Sequence, residues 1–409
     1  MTGQGIALGN LANAYLNMGK IQESNSYIER ALAIMLELGD HRAAGSFIQN
    51  IGISYVDIGE VKKAIEFFEQ SLSIAKEIGD RRGEGAVIGD IANAYVDIGN
   101  TQLAKYYYEK QIEITRETHD QRGEATALGN FGQLYSDQGN TSEAIGLFTQ
   151  ALAINRKIEN RAGESKDLRN IGDTYRILAD PQRAIEFYEQ ALIITQETGD
   201  MKGKASTLNN LGIAYKKLGD IHRAIGYYEQ SLSIKQAIGD RRGEKNTIEN
   251  LIKTHLLVGD RRRVIEYYEH HLAIISEIGN VNDVASDLLK MAGLYLQEGD
   301  NNRALLFATN SARLFSQIDS PKAQHAYELI VQLQGDTLAP HPNTAQAAFE
   351  AFQLADTLQV MQTAAAQYPM LKDGHFIQTI QKIIIEQVSP EYKPAFEQRL
   401  TWLKQIVGK

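Results

Sequence analysis

The chain has 409 residues, 43% hydrophobic and 23% charged, a composition that excludes wholesale disorder. Its formal net charge of -9 is the wrong sign for a dedicated nucleic-acid binder, which needs a basic field. No cysteine is present, so disulfides, zinc–thiolate sites, iron–sulfur clusters and cysteine nucleophiles are all removed.

The first ten residues, MTGQGIALGN, lack the basic start and apolar core of a signal peptide. The longest aliphatic run of the tail, Ile383-Ile384-Ile385, falls far short of the ~20 residues that span a bilayer. These features lead us to expect a cytoplasmic protein that does not enter membranes. Met1 aligns with residue 41 of the pattern described next. Either an abrupt natural start or a longer parent protein fits that register.

Along the chain a tyrosine recurs every 40 residues, at Tyr15, Tyr55, Tyr95, Tyr135, Tyr175, Tyr215 and Tyr295, with His255 in the one remaining place. Four residues later stands glycine (Gly19, Gly59, Gly99, Gly139, Gly219, Gly259, Gly299), or Ala179. A small residue recurs at Ala64, Ala104, Ala144, Ala184, Ala224 and Ala304, and Gly-Asp or a relative closes each unit, as at Gly39-Asp40 and Gly79-Asp80. Such a period marks a repeat array of about eight units.

Each unit predicts two helices. In the second, Phe47, Ile48, Ile51, Tyr55 and Ile58 form one apolar stripe, and Val61, Ala64, Ile65, Phe68, Leu72 and Ala75 form the other. Gly59 stands where a helix end needs left-handed backbone, and Gly79-Asp80 supplies a C-terminal stop and an N-cap together. At Ala179 the break is expected to come from proline in Asp180-Pro181. Small residues such as Gly52 and Ala64 fall mid-helix, where two helices must approach closely.

Pro321 to Gln334 reads as one helix covering the last pair. The expected organisation is an array over 1–334, a Pro-containing linker at 335–342 and helices over 343–409. Stripes in the last part are Phe349, Phe352, Leu358 and Met361, then Phe376, Ile380, Ile383 and Ile384, then Phe396, Leu400, Leu403 and Ile406.

The positions Ile51-Gly52, Tyr55, Ala64, Phe68 and Ser71 resemble the tetratricopeptide repeat. The 40-residue version with literal Leu8-Gly9-Asn10 and Leu128-Gly129-Asn130 is similar to the Leu-Gly-Asn spindle-orientation adaptors, kinesin light chains and bacterial peptide receptors. The resemblance covers roughly 1–334 and implies an all-α, right-handed superhelical solenoid of helix-turn-helix units, whose first helices line a concave groove. It does not extend to the adaptors' G-protein-binding motifs, which have no counterpart here. The tail, through Phe352-Gln353-Leu354-Ala355 and Arg399-Leu400, loosely resembles tails beside such repeats in large bacterial signalling proteins, and equally reads as a helical cap.

No catalytic constellation is legible. Gly199 to Lys204 is one residue short of a phosphate-binding loop, and Gly83 to Gly89 has no strand before it. In Glu269-His270-His271 the adjacent histidines point to different helix faces, so no metal site is expected. His255 reads as a partly buried packing residue. The GDRRGE segments pair their arginines with acids at helix starts. No cofactor is called for.

One polar position remains. Asn10, Asn50, Asn130, Asn170, Asn210 and Asn250 repeat on the first helices, with Asp90 and Lys290 as variants. Asparagine is a mediocre helix former, so its recurrence needs a reason. Two roles fit: bonding a ligand's peptide backbone in the groove, or bonding between repeats to fix their stacking. On the same face the fifth unit carries Lys166, Arg169, Asp173 and Arg176, and later units add Lys216 and Lys253. Earlier units carry Asp57, Asp97 and Asp137 near the groove edge.

The expectation is a non-catalytic scaffold that binds a protein or peptide, acidic or ending in a free carboxylate. The alternatives are a solvated charged face, a regulatory arm of a larger bacterial signalling protein with a protease-like or nucleotide-binding effector, and, with no motif behind it, an enzyme.

Overall fold

The computed structural model describes residues 2–18, 20–334, 352–353, 355, 358–367, 369–372, 374–387 and 393–408, and the expected linker at 335–342 lies outside them, as does Phe349. Among the described residues every regular element is helical and no strand occurs. The helices are α1 (Thr2–Asn17), α2 (Ile21–Glu37), α3 (His41–Asp57), α4 (Val61–Glu77), α5 (Arg81–Asp97), α6 (Thr101–Glu117), α7 (Gln121–Asp137) and α8 (Thr141–Lys157). They continue with α9 (Arg161–Ile177), α10 (Pro181–Thr198), α11 (Met201–Leu218), α12 (Ile221–Ala237), α13 (Arg241–Val258), α14 (Arg261–Ile278), α15 (Val281–Gln297), α16 (Asn301–Gln317) and α17 (Ala323–Gln334). Then follow α18 (Leu358–Gln367), a 3-10 turn (Pro369–Lys372), α19 (Gly374–Gln387) and α20 (Lys393–Val407).

The chain divides into two compact units, 1–267 and 268–409. In the first, successive helices pack as antiparallel hairpins, and each hairpin packs on the next. In α3–α4, α7–α8, α9–α10 and α11–α12 a fully buried ring of the second helix abuts a glycine of the first. A Cβ at Gly52, Gly172 or Gly212 would sit 2.5 Å from Phe68, 2.6 Å from Tyr188 and 2.6 Å from Tyr228. Except at Tyr135, which has Leu147 in that place, the recurrent tyrosine stacks on an aromatic side chain twelve residues later: Tyr55 on Phe67 at 5.2 Å, Tyr175 on Phe187 at 5.5 Å, Tyr215 on Tyr227 at 5.3 Å. His255 takes the same place against Tyr267, tilted, and is buried rather than partly so.

Helix ends behave as the period predicts. Asp40, Asp80, Asp120, Asp200 and Asp240 each accept from the backbone N–H three residues on, at 2.9–3.1 Å, satisfying a donor that the helix leaves unpaired. The expectation at Ala179 needs amendment. Proline opens α10, yet Ala179 still adopts φ +57°, so the left-handed junction is kept in addition to the proline. For a residue with a Cβ that costs ~1–2 kcal/mol, which the packing on either side must offset.

In the second unit α15 and α16 form a hairpin of the same kind, with Tyr295 stacked on Phe307 at 5.4 Å, and α17 packs on α16. The C-terminal helices have a core of their own: Phe352, Met361, Ile380, Ile384, Leu400 and Leu403 are buried together, with Phe396 and Ile406 partly buried against them. Arg399 Nε donates to the Ala355 carbonyl at 2.6 Å, tying α20 back to the start of this group.

The seams between hairpins are not wholly apolar. At the α8–α9 seam Asn155 Nδ2 donates to Asp167 Oδ2 at 2.7 Å, and both side chains are buried. Burial pushes the Asp167 carboxyl up to about 6. At the α12–α13 seam Lys235, also buried, donates to Thr247 Oγ1 at 2.7 Å and to the Gly243 carbonyl at 3.1 Å, and burial lowers its pKa.

Two glycine substitutions should move stability in opposite directions. Gly52→Ala drives a methyl into Phe68 and should destabilise the protein by ~1–3 kcal/mol. Gly146→Ala, exposed on α8 with no neighbour within 4 Å of the new Cβ, should stabilise by ~0.4–1 kcal/mol through helix propensity. Thermal denaturation of both variants checks the signs.

Asp167 makes a pH-dependent prediction. An unfolded aspartate ionises near 3.9, whereas the folded one stays protonated up to about 6. Between those values the folded state binds more protons, so its stability falls as pH rises through that window and stays lowered above it. Asp167→Asn should therefore raise the melting temperature at pH 7.5, by ~1–3 kcal/mol of stability, with little effect at pH 4. Equal gains at both pH values would contradict this account.

Candidate functional site

The amphipathic sequence of each hairpin leaves one polar stripe on its first helix. In residues 1–267 the odd-numbered helices contact the next odd-numbered helix as well as their hairpin partners, while no comparable contact links the even-numbered ones among the described residues. The first helices therefore line the inner side of the stack, and their polar stripes meet there.

Hydrogen bonds locate the meeting line. Gln49 Nε2 of α3 donates to Asp90 Oδ2 of α5 at 2.6 Å, and burial holds the Asp90 carboxyl above its usual range despite that bond. Asn130 Nδ2 of α7 donates to Asn93 Oδ1 of α5 at 3.4 Å, and Tyr108 Oη, from α6, donates to the same oxygen at 2.6 Å. The pattern returns two hairpins later. Asn210 Nδ2 of α11 and Tyr188 Oη of α10 both donate to Asp173 Oδ1 of α9, at 3.2 and 2.7 Å. Asn250 Nδ2 of α13 donates to Asn209 Oδ1 of α11 at 3.2 Å.

Three members of the asparagine ladder, Asn130, Asn210 and Asn250, thus have a carboxamide hydrogen engaged between repeats, the stacking role. Each retains a second N–H and an oxygen for other partners. Asn10 and Asn50 are exposed and Asn170 half-buried on the same register. Asn93 and the Tyr108 and Tyr188 hydroxyls are contributors the sequence reading did not single out. Their only sequence signal is a polar residue three positions after the ladder, at Asn93 and Asp173.

The basic residues divide into two groups. Arg176 Nε lies 3.5 Å from Asp173, so its charge is largely answered on its own helix. Lys253 faces Glu249 at 3.6 Å. Lys216 is different: it is half-buried, and both burial and the ammonium of Lys253 across the α11–α13 contact lower its pKa. Arg169 Nε is buried and has no hydrogen-bond partner among the described residues. Lys166 is exposed one turn before Arg169. On the opposite side of α9 Leu168 and Ile171 are buried and Tyr175 is half-buried, whereas Leu178, just past the helix end, is 49% exposed.

Asp57, Asp97 and Asp137 are exposed at the ends of α3, α5 and α7. Lys166, Arg169 and Lys216 lie on α9 and α11, further along the array than these aspartates. Among the described residues no cluster of three metal-ligating side chains occurs, and no helix is long and apolar enough to cross a membrane.

The sequence profile of the tetratricopeptide repeat matches residues 4–77, 85–157 and 166–237, together more than half of the chain. The chain belongs to the tetratricopeptide repeat family. No curated protein matches it by sequence. Among solved structures it is similar to a signal transduction ATPase with numerous domains and a tetratricopeptide repeat sensor from Pyrococcus horikoshii, at 17% identity and TM-score 0.59. That match covers 81% of this chain and 50% of the other, so the chain spans about half the length of that protein. It is also similar to the apo form of RapI, at 17% identity and TM-score 0.49 over 67% of this chain and 98% of that one. A third match is to nearly identical repeats of a kinesin light chain from Podosopora anserina, at 22% identity and TM-score 0.41 over 47% of this chain and 94% of that one.

Proposed function

We propose that this repeat array is a non-catalytic scaffold, working in the cytoplasm, that holds an extended acidic peptide, or one ending in a free carboxylate, on the inner face of α9, α11 and α13. The observation that carries the reading is the lysine pair. Half-burial and the neighbouring Lys253 ammonium both disfavour the charged form of Lys216, and a bound carboxylate offsets that. Arg169, with a buried and unbonded Nε, offers a second charged contact, and Lys166 and Arg176 flank it. The remaining hydrogen-bonding capacity of Asn170, Asn210 and Asn250 suits a peptide backbone, with Asn10, Asn50 and Asn130 continuing the register.

Neither nucleic acid nor a membrane surface suits a face whose cations are few and bordered by aspartates. A second reading makes the same face the sensing element of a larger signalling protein. The Pyrococcus protein, whose own repeats are named as a sensor, supports it. A nucleotide-binding or protease-like domain encoded in the same reading frame would favour this version. Peptide capture by α9 to α13 is common to both.

Exposed charge pairs contribute only ~0–1 kcal/mol each, so affinity should be modest, shared among several residues and weakened by salt. Arg169→Glu together with Lys216→Glu should reduce binding of a fluorescent glutamate-rich peptide at least ~10-fold, since reversing two charges costs more than ~1.4 kcal/mol. Helicity should stay unchanged, and reversing two exposed lysines of the even-numbered helices should have little effect. Undiminished binding by the double variant would remove the inner face from consideration.

A further inference from the structure

The residue two places after each stacking ring changes character along the array. It is aspartate in the second to fourth units, Asp57, Asp97 and Asp137. It then becomes Ile177, Lys217 and Leu257, on α9, α11 and α13. None of these later three is buried: Ile177 is 50% and Leu257 67% exposed, and Lys217 is exposed between them in register. Leu257 follows Lys253 by four residues, and Ile177 follows Asp173 by four, so both lie one turn further along the face on which the first helices meet. Leu256, 47% exposed, widens the apolar patch on α13. Solvation explains a row of aspartates at this register, but it does not explain large aliphatic side chains held in water on both sides of a lysine.

Packed helices lie about 8–10 Å apart, and an extended chain advances about 3.3 Å per residue, so one repeat corresponds to about three ligand residues. We infer that the partner is an extended peptide with an acidic residue flanked, about three positions away on each side, by large aliphatic residues. The acid pairs with Lys217 and Lys216 of α11. The aliphatic side chains cover Ile177 on α9 and Leu257 with Leu256 on α13. The aspartate rim of the earlier units repels any continuation of acidic sequence past α9 and so places the motif. Charge complementarity selects this occupant: Lys216 and Lys217 stand between the two apolar steps, and an apolar partner without an acid would leave Lys216 half-buried beside Lys253 unanswered. The inference rests on the peptide-binding reading above and adds the apolar half of the recognition.

The test uses the full chain and four labelled peptides with identical Gly-Ser flanks, read by fluorescence polarisation. The first is Leu-Ser-Ser-Glu-Ser-Ser-Leu. The others replace both leucines by serine, replace glutamate by lysine, or compress the motif to Ser-Ser-Leu-Glu-Leu-Ser-Ser. The first should bind about tenfold or more tighter than each of the others, because burying even part of two leucines exceeds the ~1.4 kcal/mol that a tenfold change requires. Ile177→Ser with Leu257→Ser should bring it down to the level of the leucine-free peptide and leave the latter unchanged.

If the leucine-free peptide binds as tightly as the first, and both are lost in Arg169→Glu/Lys216→Glu, the apolar inference falls while the acidic-groove reading stands. Equal binding of the lysine peptide overturns the charged reading itself. Failure of all four overturns both. If the parent proves dimeric by light scattering and Ile177→Ser/Leu257→Ser makes it monomeric, the patch is a self-association face and the inference is wrong.

Discussion

A buried aromatic ring lying on a glycine sets the helix spacing in the hairpins α3–α4, α7–α8, α9–α10 and α11–α12, while Ala12, Ala92 and Ala292 keep the same position small elsewhere. Phe68 over Gly52, Phe148 over Gly132, Tyr188 over Gly172 and Tyr228 over Gly212 leave no room for a Cβ, since one would come within 2.5–2.9 Å of the ring. That contact fixes how closely the two helices of a hairpin approach. The tyrosine further along the first helix stacks twelve residues later in hairpins with that glycine and in hairpins with alanine there, as Tyr95 does on Tyr107. The left-handed junctions recur in both kinds of hairpin. His119, Glu159 and Ala179 adopt φ of +53°, +53° and +57° although none is glycine, so packing on both sides imposes the reversal on them.

Stacking the hairpins creates a second demand. The first helices crowd one another on the inner side, and polar side chains there must find partners or stay wet. The structure answers with bonds that recur two hairpins apart: a tyrosine hydroxyl from the second helix and an asparagine from the following first helix converge on Asn93 in one case and on Asp173 in the other. The substitution of aspartate for asparagine at 173 brings a charge into this junction, and Arg176 answers it at 3.5 Å. Arg176 is therefore partly a structural cation. Among the described residues no ion pair to a carboxylate is found for Arg169 or Lys216.

The same seams hold ionisable groups that a repeat consensus would not require. Asp167 and Lys235 are buried at the α8–α9 and α12–α13 seams, where other units place Thr207 or Thr247 for the aspartate and Thr115 or Thr195 for the lysine, and burial shifts each toward its neutral form. Such groups lower stability at neutral pH relative to apolar replacements. They vary from unit to unit while the helical hairpin itself recurs, so the seams differ in polarity.

The sequence by itself determined the helical hairpins, their number, their ends and the identity of the buried face. Those properties depend on residues within one unit, and a forty-residue period displays them eight times. It also located the polar stripe, because Asn10 through Asn250 share a register. Which members of that stripe are already engaged was decided only by the tertiary structure. The partner of Asn210 is 37 residues away and that of Asn250 is 41 away, on different registers of the first helix of the preceding hairpin. Repetition makes those alternatives equivalent in a one-dimensional reading. The packing of one hairpin on the next chooses between them, since it sets which side chain on the neighbouring helix lies within hydrogen-bond distance.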